Sequence, residues 1–147
     1  MSHLSDRLAS RFYAYMSLPD QVLNAGVVTT IRIDTILFDS MNEFNIVTNS
    51  FTPRRAGYYL LHGSVAVRPN ALADMNVQLY IEPLVGFVAG HDTICQNQNY
   101  YGCPKATAIV YLDTTIAYRL RVQHDSLANQ TALANRSLTC FEGHRIS

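Results

Sequence analysis

Apolar and polar positions alternate along most of this 147-residue chain. At residues 75–82, Met75, Val77, Leu79 and Ile81 alternate with Asn76, Gln78, Tyr80 and Glu82. A period of two is the mark of a strand with one buried face. The same period links Ile116, Tyr118, Leu120 and Val122, set against Arg119, Arg121 and Gln123. Ile31 and Ile33 alternate with Arg32 and Asp34 inside a strand expected over residues 29–38. Residues 57–67 predict the longest strand. Tyr59, Leu61, Val65 and Val67 fall on one face, and Tyr58, Leu60, His62 and Ser64 on the other. Further strands are expected at residues 13–18, 84–94, 105–112 and 137–146. Pro19-Asp20, Asn24-Ala25-Gly26 and Asp113-Thr114-Thr115 supply turn chemistry between them. About ten strands with no long helix predict an all-β fold, a two-sheet sandwich or jelly roll.

The first twelve residues read differently. Leu4, Leu8 and Phe12 stand at helical spacing, which permits a short amphipathic turn or a flexible arm. Residues 1–12 are therefore expected to be an N-terminal arm that docks on a partner through those three side chains. Residues 13–147 are expected to form a single domain.

Composition narrows the setting. A chain of this length buries roughly 70% of its unfolded surface, so it needs no metal or disulfide to fold. Apolar residues make up 48% and charged residues 15%. The low charge fits a protein that hides part of its surface in an assembly. The formal net charge is zero, and Arg54-Arg55 and Arg119/Arg121 are too sparse to track phosphates, so no nucleic-acid partner is expected. No apolar run approaches the ~18 residues that cross a bilayer, so no membrane insertion is expected. The start, Met1-Ser2-His3-Leu4, lacks a secretory pattern and predicts synthesis and assembly in the cytoplasm. The three cysteines are an odd number, which argues against a disulfide framework. Cys95 and Cys103 bracket a polar loop; they either close a bridge in an oxidising setting or stay as reduced thiols.

One stretch resembles a known family. Phe51-Thr52-Pro53, followed by Ala56-Gly57-Tyr58-Tyr59, resembles the step in the globular head of the first complement component. There a phenylalanine and a Gly-x-Tyr lead into an apolar central strand. The tumour necrosis factor-like proteins have a similar strand. Residues 138–146, with Phe141-Glu142-Gly143, look like the family's closing strand. Leu112-Asp113-Thr114-Thr115-Ile116 stands where the family turns between two strands, although the usual Gly-Asp is absent. With no collagen-like repeat ahead of the domain, a free-standing trimer is expected.

The resemblance implies a jelly roll, a compact homotrimer, and binding rather than catalysis. It also implies that one face of the Gly-Tyr-Tyr strand packs in the core and the other faces a threefold axis. Alternation then places Leu60, His62 and Ser64 at the trimer interface, with Phe141 nearby. The competing reading is a central strand buried on both faces within one subunit. An axis there would gather three copies of His62, a side chain that titrates near neutral pH and ligates metals.

No motif carries an enzyme's chemistry. Gly-x-Ser-x-Gly, the phosphate loop, His-Glu-x-x-His and Cys-x-x-Cys are all absent. None of His3, His62, His91, His124 and His144 lies four residues from another. No catalytic residue, cofactor or metal is expected. Tyr100 and Tyr101 lie in the loop between Cys95 and Cys103. They either contact a partner or glycan, or cover the top of the sandwich. The chain is therefore expected to be a non-enzymatic homotrimeric structural protein. Its expected place is a virion surface, as a phage or virus capsid decoration (cement) protein assembled in the host cytoplasm. Its expected partners are itself and a capsid or other virion protein. The alternative is a secreted, complement-head-like recognition module for carbohydrate or protein ligands.

Overall fold

Strands and turns make up the computed structural model over its described residues, which are 9–70, 75–83, 89–94 (backbone only) and 102–147. In chain order the strands are β1 (Arg11–Tyr15), β2 (Gln21–Leu23), β3 (Thr29–Thr30), β4 (Thr35–Asp39), β5 (Phe44–Asn45), β6 (Ser50–Phe51) and β7 (Gly57–Ser64). Then follow β8 (Val67–Arg68), β9 (Met75–Glu82), β10 (Ala89–Ile94), β11 (Lys105–Leu112), β12 (Arg119–His124), β13 (Gln130–Ala132) and β14 (Cys140–Arg145). No helix among the described residues is long and apolar enough to cross a membrane.

A five-stranded sheet in the order β11-β7-β14-β1-β4 faces a four-stranded sheet in the order β10-β9-β12-β3. Every pairing is antiparallel. A bridge between Phe51 and Tyr118 ties the β5–β6 pair to the end of β12. A small sheet, β2-β13-β8, lies beside these two. The result is an all-β, two-sheet jelly roll.

The core fills the gap between the sheets. Tyr59 and Leu61 of β7, Phe12 and Ala14 of β1 and Phe141 of β14 meet Val77, Leu79 and Ile81 of β9 and Leu120 and Val122 of β12. A ring cluster occupies its centre. Phe12 stacks on Phe51 with ring centroids 4.2 Å apart and meets Phe141 edge-on at 5.1 Å. Gly57 opens β7 for a steric reason. A Cβ there would lie 2.3 Å from the backbone carbonyl oxygen of Ser147, whose chain folds back over Tyr58.

Two expected strands are broken. Residues 29–38 do not run as one strand, because the chain crosses there from the four-stranded sheet to the five-stranded one. The Ile31 N–H bonds the Leu120 carbonyl on one side, and the Asp34 N–H bonds the Tyr15 carbonyl on the other. Ile31 and Ile33 stay fully buried through the crossing. The strand expected over residues 57–67 ends at Ser64. Beyond it, Ala66 N–H turns to the Thr139 hydroxyl at 3.1 Å, and Val67 pairs with Gly102.

Candidate functional site: the open face of the five-stranded sheet

β7 lies between β11 and β14, and its register sets three rows across the side of the sheet that faces away from the core. Thr107, His62, Glu142 and Tyr13 form one row; Ile109, Leu60, His144 and Arg11 form the next; Tyr111 and Tyr58 form the third. Alternation explains the set. Their neighbours Tyr59, Leu61, Ala106 and Leu112 point inward and are buried. Ile109 is 65%, Tyr111 61% and Tyr58 52% exposed. The two tyrosines meet edge-on at 5.5 Å. Phe38 of the edge strand β4, opposite Tyr13, adds exposed apolar surface.

Polar groups sit beside this apolar strip. A hollow of about 490 Å³ is lined by Arg11, Phe38, Leu60, His62, Glu142 and His144, among others. His62 Nδ1 lies 2.7 Å from the Thr107 hydroxyl. The Arg11 guanidinium lies 5.7 Å over the Phe38 ring, an arrangement that attracts cation to ring face. Among the described residues no group of three or more His, Cys, Asp or Glu could hold a metal ion.

One end of the face is closed. Ser64 stands between Lys105 and Cys140 in register and is buried. Its hydroxyl lies 3.0 Å from the Cys103 sulfur. Burial pushes the Cys140 thiol up, against the pull of its contact with Tyr13. Cys140 therefore stays protonated and is a poor nucleophile. Burial likewise raises the Tyr13 phenol, helped by Cys140, and its hydroxyl donates to the Arg136 carbonyl at 2.7 Å. A face of this kind can associate with another surface.

No protein-family model matches the sequence, and no curated protein matches it. Solved structures do. The tumour necrosis factor Eiger of S. frugiperda covers 95% of this chain and 93% of its own at 7% identity, with a TM-score of 0.65. The globular domain of zebrafish complement 1qA protein covers 95% and 98% at 12% identity, with a TM-score of 0.59. Murine APRIL, crystallised at pH 5.0, covers 94% and 99% at 11% identity, with a TM-score of 0.62. This chain has the tumour necrosis factor and complement-head jelly-roll fold. At these identities the likeness is one of fold.

Within that jelly roll the expected site residues scatter. Leu60 and His62 stand half-buried on the open face. Ser64, expected at the trimer interface, is instead covered within the chain's own fold. Phe141, expected beside it, is instead a core residue, edge-on to Phe12 and to Phe44. The cause is parity: Cys140, Glu142 and His144 take the open side of β14, so Phe141 takes the inner one. Phe12, expected in a docking arm, is likewise a fully packed β1 residue. Leu4, Leu8, Cys95, Tyr100 and Tyr101 lie outside the described residues. Sequence reasoning missed Ile109 and Tyr111. Their signal was available, because residues 105–112 carry apolar side chains at odd and even positions alike, more than a one-faced strand needs.

Proposed function

We propose that this chain is a non-enzymatic structural protein that closes into a homotrimer through the open face of its five-stranded sheet and decorates the surface of a virus or phage particle. One observation carries the trimer. Ile109, Tyr111 and Tyr58 lie on adjacent strands and expose more than half of their surface as a continuous strip. Covering such a strip with a second copy removes apolar area from water at about 25 cal/mol per Å². The polar groups beside it, His62, Glu142, His144 and Arg11, fix register in the way that interface charges do. A rotation that closes after three copies leaves no sticky face behind.

The particle setting is the finer part of the reading. It is supported by the low charge content of 15% and by the segment ahead of β1, where Leu4 and Leu8 are candidate docking residues. Assembly in the host cytoplasm and display on the virion surface follow from it. Light scattering on the purified chain should give three times the 16.5 kDa of one copy; a stable monomer removes the reading. Flanking genes for a capsid protein and a packaging motor, and three-lobed knobs on the corresponding particle by electron microscopy, are the results expected for the setting. Bare particles would overturn it.

A further inference from the structure

The opposite side of the sandwich carries a surface of different chemistry. On the outer face of the four-stranded sheet, β9 presents Asn76, Gln78, Tyr80 and Glu82, and β12 presents Arg119, Arg121 and Gln123. Register sets Gln78 opposite Gln123. Cross-strand neighbours on one face have Cβ atoms about 5 Å apart, so two carboxamides stand side by side. At the end of this pair a hollow of about 270 Å³ is lined by Asn76, Gln78, Gln123, His124 and Asp125. All five are polar.

The rim of the hollow is held in place. Asp125 Oδ1 accepts the Asn76 backbone N–H at 2.8 Å, and Oδ2 accepts the Asn76 carboxamide at 3.0 Å. These bonds hold the carboxyl below its usual range, so it remains an anionic acceptor with lone pairs to spare. The Tyr80 hydroxyl takes the Gln78 carbonyl oxygen, which leaves the Gln78 amide NH2 to point elsewhere. His124 is 4% exposed, and its Nε2 faces the Leu23 carbonyl at 3.0 Å. A carbonyl only accepts, so Nε2 carries a proton. Its Nδ1 has no hydrogen-bond partner among the described residues. The Gln78 amide and the remaining Asp125 lone pairs thus leave the wall with hydrogen-bonding capacity to offer.

The kind of ligand follows from these groups. Carboxamides offer a donor and an acceptor side by side, which matches hydroxyl groups that do both. A phosphate or sulfate would meet the Asp125 anion. An apolar side chain would find no apolar wall. The Tyr80 ring, on the same face, offers a flat surface for an adjoining ring. We propose that this hollow is a saccharide-binding site that takes a neutral sugar ring of a glycan, with Gln78, Gln123 and Asp125 as its direct contacts. It lies on the sheet opposite the proposed trimer face and does not depend on the particle setting.

The full chain, labelled and applied to an array of neutral, sialylated and sulfated glycans, tests this. Saturation-transfer NMR with the free monosaccharides of any bound glycan gives the second readout. Neutral glycans should be retained. Gln78→Ala and Gln123→Ala should each weaken binding about tenfold, the loss of one or two good hydrogen bonds, with unchanged unfolding midpoints. Val47→Ala, at a distant and 86% exposed position, should leave binding unchanged. The proposal is overturned by retention of no neutral glycan, by binding confined to sulfated ones, or by equal binding of both glutamine variants.

Discussion

At the scale of single residues, two features tie the core and the sheet crossing together. The first is Phe141. Its ring lies within the Phe12–Phe44–Phe51 cluster, so Phe141→Ala should cost about 3–5 kcal/mol of stability by chemical denaturation. A loss under 1 kcal/mol would return it to an interface role. Its side was hard to read in sequence because Cys140 and Phe141 are consecutive apolar residues, and a shift of one position exchanges the two faces. The second is Asp34, which joins the β3–β4 crossing to the turn after β1. Burial alone would raise its carboxyl. The Ser17 N–H at 2.8 Å, the Ser17 and Thr35 hydroxyls and Arg32 outweigh that and hold it below its usual value. A carboxyl lowered on folding adds stability above its unfolded value of 3.8, and that stability is lost as pH falls through the folded value. Asp34→Asn should therefore lower the denaturation midpoint at pH 7, and the gap to the unsubstituted chain should close as pH falls through the folded value. A gap of constant size across that range would assign the effect to packing.

At the scale of elements, legibility follows how local the cause is. The expectations at 75–82 and 105–112 coincide with β9 and β11, because period-two patterning and flanking turns are written within each segment. β2 and β13 were not legible. Each is three residues long, and its strand character comes from a distant partner, as when β13 pairs with both β2 and β8. The same holds for the hollow beside β9 and β12. Gln78 and Gln123 are 45 positions apart by their numbering and meet only through register. Spacing between the sheets is set at β7. A Cβ on Gly63 would lie 2.3 Å from Leu120 Cδ2 and 3.2 Å from its Cδ1, and Leu120 is itself fully buried. Gly63→Ala should thus push the sheets apart locally and cost about 1–3 kcal/mol. Pairing it with Leu120→Val, which shortens the opposing side chain, should recover part of the loss; strictly additive losses would show that the two positions do not press on one another.

At the scale of the whole molecule, the fold was legible in a few residues, and the expectation of a trimer came only as an implication of their resemblance. The Phe51, Gly57 and Tyr59 positions mark where the chain enters its central strand, and Gly57 is required by the Ser147 carbonyl that packs on it. Nothing so local marks an interface, since an exposed apolar residue is common on any surface. What distinguishes Ile109 is its company: Tyr111 and Tyr58 extend the same strip. If that strip closes a trimer, one Ile109→Asp change enters every contact between copies. Each contact loses the burial of an isoleucine, about 1.5–3 kcal/mol, and gains a carboxylate that must shed its water. A substitution at a position 65% exposed leaves the subunit core alone. Light scattering on Ile109→Asp and on Tyr111→Asp should then report the mass of one chain, with circular dichroism and unfolding cooperativity unchanged in form. Val47→Asp adds the same charge at an exposed site away from the strip and should keep the larger mass. Were all three variants to remain trimers, the open face of the five-stranded sheet would not be the contact, and the trimer would have to close through another surface of the jelly roll.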